Sequence, residues 1–152
     1  MSIADRLTEL GIALPDAPMP AANYVPSVRS GDLLFVSGQI SARDGTMMTG
    51  KLGADASLED GVAAARQCAI NLLAQVRAAC DGDIEHLDQV VKLTGFVNST
   101  PDFTDQPKVI NGASDLLAEI LGEAGRHSRS AVSAASLPFG VTVEIEGIFR
   151  LK

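Results

Sequence analysis

The run LLFVSGQI, residues 33–40, opens with four apolar residues in succession. Side chains on a strand alternate between its faces. Leu34, Val36 and Ile40 therefore point one way, and Leu33 and Phe35 the other. Both faces of such a strand want burial. The last stretch, VTVEIEGIF over 141–149, makes a related demand. Val141, Val143, Ile145 and Phe149 share one side, and Thr142, Glu144, Glu146 and Ile148 share the other.

Only two long helical patterns are available as cover. Ser57 opens the first, with Asp60 three residues on in a weak capping box. Val62, Ala65, Ala69, Leu72 and Val76 follow helical spacing to about Ala79, and DGD at 81–83 ends it. The second follows a turn at 101–106. Val109, Ile110, Ala113, Leu116, Leu117, Ile120 and Leu121 form its stripe, with Gly125 as its C-terminal cap. Strands are predicted over 24–29, 33–40, 90–97, 130–135 and 141–149. Pro26 confines the first to a sheet edge, and SGD at 30–32 closes it onto the second as a tight hairpin. Residues 42–56 read as a polar loop with a short strand near Met47 and Met48. Residues 1–20 form a leader: a short amphipathic helix over 3–11 with Leu7 and Leu10 on one face, stopped at Gly11, then the extended, proline-rich connector PDAPMPAA (15–22). The expectation is one domain over 1–152, of the α+β class, with a mainly antiparallel mixed sheet and both long helices on one face. The other face is left bare, and an apolar bare face must find a partner.

Nineteen acidic against twelve basic residues give a net charge of -7. That argues against a nucleic-acid surface, which needs a basic footprint. No apolar run approaches the roughly 18 residues of a membrane span. The N-terminus has acidic residues and lacks the apolar core of a signal peptide. A cytoplasmic protein is expected. Cys68 and Cys80 have neither CxxC nor Cys/His metal spacing and read first as buried thiols in a reducing compartment. A catalytic thiol would need His86 or His127 beside it.

Three features carry chemistry. Arg126, His127 and Arg129 gather where helix gives way to strand. A surface basic patch at a helix C-terminus accounts for the first two. It accounts less well for Arg129, whose planar fork suits a carboxylate or phosphate. Ser37-Gly38 interrupts a strongly apolar strand; a bulge, tight helix packing or close approach of a ligand to the backbone each explains the glycine. Glu144 and Glu146 either face solvent or lie inside an oligomer, where a carboxylate needs a partner, for which Arg129 and Arg126 are the candidates, or a function. No P-loop, dinucleotide fingerprint or Ser/His/Asp nucleophile motif is present, and GEAGRH at 122–127 lacks the strand such a fingerprint requires.

NYVPSVRSGDLLFVSGQI (23–40) and RSAVSAASLPFGVTVEIEGI (129–148) resemble the two signature regions of the Rid family, with VVKLTGFVNSTPDF (90–103) fitting between them. These are the reactive-intermediate deaminases, also called the YjgF family and sometimes named L-PSP endoribonucleases. The resemblance implies a chorismate-mutase-like fold and a homotrimer with ligand clefts between subunits. It implies hydrolysis of a 2-imino acid or enamine, such as 2-aminoacrylate, to a keto acid and ammonia, with no cofactor and no metal. A noncatalytic small-carboxylate binder and a ribonuclease or translation inhibitor are the alternatives. Carried over by position, Arg129 binds the substrate carboxylate and Glu144 orients or activates water. Tyr24, Ser37, Gly38 and Asn111 line the cleft. The position two after the arginine is often Cys in the deaminases and is Ala131 here. The leader and the length of loop 42–56 are further departures.

Overall fold

The computed structural model describes residues 1–17 and 22–152. The chain runs α1 (Ile3–Glu9), β1 (Ser27–Ser30), β2 (Leu33–Ile40), β3 (Ala42–Arg43), β4 (Thr46–Met47), α2 (Leu58–Ala79), β5 (Leu87–Asn98), α3 (Gln106–Leu121), β6 (Ser128–Ala134) and β7 (Val143–Leu151). Five strands form one sheet in the order β1-β2-β7-β5-β6. Three of its pairings are antiparallel, and β5 with β6 is parallel, joined through α3. The fold is α+β with a mixed sheet, as the strand and helix patterns require.

Local chemistry explains the element ends. Ser57 and Asp60 close a full capping box at α2, and Ser2 and Asp5 do the same at α1. The α3 helix stops at Gly122, whose φ of 63° an L side chain resists, and not at Gly125 as the sequence suggests. Gly125 lies in the following 3-10 turn, where a Cβ would run into the Leu117 carbonyl.

Both long helices pack on one sheet face. Ala64, Ala65, Cys68, Ala69, Leu72, Leu73 and Val76 of α2 meet Val109, Ile110, Ala113, Leu116 and Leu117 of α3 over Leu34, Val36, Leu93, Ile145 and Phe149. Gly112 lets the helices touch, since a Cβ there would strike the Val62 carbonyl oxygen. The leader helix is docked onto this layer. Leu7 is buried, and Glu85 accepts from the Ile3 and Ala4 backbone amides at 3.2 and 2.9 Å. Arg77 Nη2 donates to the Leu14 and Pro15 carbonyls at 3.3 and 2.9 Å. Of the connector expected over 15–22, residues 18–21 lie outside the described residues.

The other sheet face carries no helix. Strand register sets its rows. Val28, Phe35, Ile148, Lys92 and Ser128 lie side by side across all five strands. Beyond them come Glu146, Thr94 and Ser130, then Ile40, Glu144, Phe96 and Val132. Val28 and Phe35 are 55% and 43% exposed, whereas Leu34 and Val36, on the helix face of the same strand pair, are 2% each. One placement departs from simple alternation. The register of β2 slips between Val36 and Gln39, so Gln39 takes the buried place opposite Ile145 and Ile40 moves to the bare face. Ser37-Gly38 is thus a bulge, one of the three readings open from sequence.

Loop 42–56 is more ordered than its composition suggests. After the β3-β4 hairpin it lies along the strand ends, where Leu52 is buried and its amide donates to the Asn98 carbonyl at 2.9 Å. Lys51 Nζ donates to Asn98 Oδ1 at 2.7 Å and to the Ala135 carbonyl at 2.5 Å.

Candidate active site

The six residues singled out above form two groups on the chain. Tyr24, Ser37, Gly38 and Glu144 make the first. The segment before β1 is tied to the bulge: Ser37 N donates to the Pro26 carbonyl at 2.9 Å, and Ser37 Oγ to the Val25 carbonyl at 3.3 Å. Tyr24, beside Val25, is 57% exposed there. A Cβ on Gly38 would come within 3.0 Å of the Glu144 Cδ and Oε1 atoms. The glycine therefore makes room for this carboxylate. Glu144 is half-buried on the bare face, and burial is the main cause that raises its carboxyl above the ordinary value of 4.5. Glu146, on the same face, raises it further. A carboxyl pushed in this direction keeps its proton to higher pH than an ordinary glutamate, which favours a part in proton transfer.

Asn111 and Arg129 make the second group. Arg129 lies opposite Leu93 and Gly147, which places it on the helix face of β6. Its Nη1 donates to Ser114 Oγ at 3.0 Å and its Nη2 to the Pro107 carbonyl at 3.2 Å, both on α3. Pro107, Asn111 and Ser114 are spaced to share one stripe of that helix. Asn111 itself is exposed. Arg126 is a surface residue that pairs with Glu123 at 3.4 Å, as a basic patch would have it. His127 is not. It is half-buried, its Nε2 lies 2.9 Å from Ser114 Oγ, and its Nδ1 lies 2.7 Å from the Gly125 carbonyl. Burial pushes its pKa down, and Arg129 adds to the fall.

The two groups do not meet within one chain. Glu144 and Arg129 occupy opposite faces of the sheet, on β7 and on the edge strand β6. Tyr24 precedes β1, the opposite edge strand, which lies about 19 Å from β6 across four strand spacings. A shallow hollow of about 260 Å³ on the bare face is lined by Phe35, Lys92, Thr94, Glu146 and Ile148, and includes none of the six. Sequence reasoning missed Ser114, whose role appears only once α3 is laid against β6.

Neither thiol is activated for this chemistry. Burial raises the Cys68 thiol well above its usual range, and its Sγ donates to the Val143 carbonyl at 3.5 Å. Cys80 shares a hollow of about 120 Å³ with His86 and Arg29, but burial raises this thiol too. Among the described residues, no group of three or more His, Cys, Asp or Glu is placed to hold a metal ion, and no helix is long and apolar enough to cross a membrane.

Comparison with known proteins decides the ancestry. The family described as "YjgF/chorismate mutase-like, putative endoribonuclease" matches residues 4–145. This chain belongs to the YjgF family. Within it, Protein TCP17 of Trypanosoma cruzi is 50% identical over 98% of this chain and 94% of its own length. The 2-iminobutanoate/2-iminopropanoate deaminase of Escherichia coli K12 is 33% identical over 90% of this chain and 94% of its own. A protein of unknown function from Agrobacterium tumefaciens, Atu1372, has a crystal structure that superposes with a TM-score of 0.92 at 50% identity, covering 99% of this chain and 92% of that one. The YjgF fold is thus shared with structures and with named imine deaminases alike.

Proposed function

We propose that the protein hydrolyses reactive 2-imino acids and their enamine tautomers to 2-keto acids and ammonia. The observation that carries this reading is the division of the candidate residues into two groups, each internally assembled. Arg129, with Asn111 near it, supplies a carboxylate anchor. Glu144, with Tyr24, Ser37 and Gly38, supplies proton transfer. A cleft where the β6 edge of one copy meets the bare face and β1 edge of the next, as in a homotrimer, unites them. The exposed Val28 and Phe35 give such a contact its apolar centre.

The chemistry then needs few groups. For 2-aminoacrylate, the protonated Glu144 delivers a proton to the terminal carbon and gives the iminium. The resulting carboxylate takes a proton from water as its oxygen attacks the iminium carbon. Glu144 passes that proton to the amine nitrogen of the tetrahedral carbinolamine, and ammonia leaves as the hydroxyl proton returns to the carboxylate, giving pyruvate and protonated Glu144. Arg129 holds the ligand carboxylate throughout and keeps the reacting carbon aimed at Glu144. The names of the deaminase relatives support this substrate class.

The test is ammonia release from freshly generated 2-aminoacrylate. Arg129→Ala should abolish it at ordinary substrate concentrations. Glu144→Gln should lower kcat by about 10²-fold or more while sparing ligand affinity. Wild-type turnover in both variants would overturn the proposal. A second reading, a carboxylate binder without chemistry, is favoured by one observation: the anchor is fully built within a single chain, whereas Glu144 is not beside it. Binding of a keto acid with no turnover in wild-type or Glu144→Gln would select that reading. The charge of -7 weighs against RNA as the substrate.

A further inference from the structure

Arg129 belongs to a hydrogen-bond chain in which the position of every proton follows from the two ends. At one end, the Gly125 carbonyl only accepts, so His127 Nδ1, 2.7 Å away, carries the ring proton. In the neutral ring Nε2 is then a bare lone pair. It takes the Ser114 hydroxyl proton across 2.9 Å. With its proton committed, Ser114 Oγ presents only lone pairs to Arg129 Nη1 at 3.0 Å. At the other end the guanidinium only donates, so no link can reverse.

The guanidinium keeps what a ligand requires. Two of its five N–H donors go to Ser114 and Pro107. One remains on each nitrogen, enough for a two-pronged grip on a carboxylate. We propose that Ser114 and His127 are positioning residues that hold the Arg129 guanidinium in the orientation that receives a small planar carboxylate. This rests on the reading of Arg129 as the carboxylate anchor. If His127 ceased to accept, the serine hydroxyl would be free to turn its proton toward the guanidinium and lose the bond.

Acid supplies that condition. The groups around His127 are Ser114 on α3, the Gly125 carbonyl in the turn before β6, and Arg129 on β6. Arg126 is turned to Glu123, Asp115 beside Ser114 is exposed, and Lys92 on β5 lies on the other sheet face. No carboxylate among the described residues forms an ion pair with the imidazole; burial chiefly disfavours its charged form, the Gly125 carbonyl opposes this, Arg129 adds to it, and the balance is a lowered pKa. At neutral pH the chain is intact. An imidazolium would donate from both nitrogens and repel Arg129.

The experiment is calorimetric titration with pyruvate from about pH 5 to 8, with folding checked by thermal melting. Ser114→Ala should weaken binding about tenfold near neutral pH, and Ser114→Thr should restore most of it. Wild-type affinity should fall as pH drops through the His127 titration, below the usual histidine range. His127→Gln, whose amide oxygen can still accept from Ser114, should keep neutral-pH affinity and lose the acid-side fall. If Arg129→Ala abolishes binding but Ser114→Ala matches wild type in affinity and pH profile, the relay is wrong and the anchor stands. If Arg129→Ala binds pyruvate as wild type does, the anchor fails and takes the relay with it. Should Ser114→Ala not fold, a wild-type pH profile in His127→Gln overturns the relay by itself.

Discussion

At Glu144 the energetic and chemical roles pull in opposite directions. Its carboxyl is raised chiefly by burial and then by Glu146. Between the ordinary value of 4.5 and the raised one, the folded chain keeps a proton that the unfolded chain has released. Stability therefore falls as pH rises through that window, and the cost persists above it. Glu144→Gln should raise the thermal midpoint near neutral pH and leave it unchanged near pH 3, where both forms are uncharged. A midpoint unaffected at both pH values would show that the carboxylate carries no burial penalty. The same residue was legible from sequence as one of two glutamates on an alternating strand. Its neighbour Gly38 was legible only as an anomaly, because the bulge that seats Glu144 over it comes from register with β7. His127 was read as a surface cation for a similar reason. Nothing local to Arg126-His127 reveals that α3 will bring Ser114 within hydrogen-bond reach.

Among the elements, strong periodicity was a reliable guide. The α2 helix runs Leu58–Ala79 and β2 runs Leu33–Ile40, both at the bounds their patterns give. Ends set by tertiary contacts were less legible. Strand β5 reaches back to Leu87 and on to Asn98 because β7 and loop 42–56 offer partners there. Strand β1 begins at Ser27, since the chain before it is bound to the bulge instead of to a continuing ladder. Gly112 shows the reverse case, a residue inside a legible helix whose reason lies on another. Its missing side chain fixes how closely α2 and α3 approach. Gly112→Ala should destabilise the fold by about 1–3 kcal/mol, as overpacking does, despite the better helix propensity of alanine. A urea midpoint shifted upward would show that the helices separate freely.

At the scale of the whole molecule, the bare sheet face was inferred from a count of helices against strands, and the structure bears out that no helix covers it. In the assembly proposed above, a second copy covers it. Phe35→Asp places a charge in the middle of the row Val28-Phe35-Ile148. The substitution should leave the circular dichroism spectrum intact, dissociate the assembly in sedimentation, and abolish turnover. An assembly of unchanged mass would place the contact elsewhere.

Arg129 and Glu144 stand on opposite sides of one sheet. Two crippled preparations, one Arg129→Ala and the other Glu144→Gln, should therefore cure each other. Unfolded together and refolded as a mixture, they would form, in the proposed trimer, hybrid rings in which roughly one junction in four joins two intact halves. Catalysis would reappear from proteins that are each inert when pure.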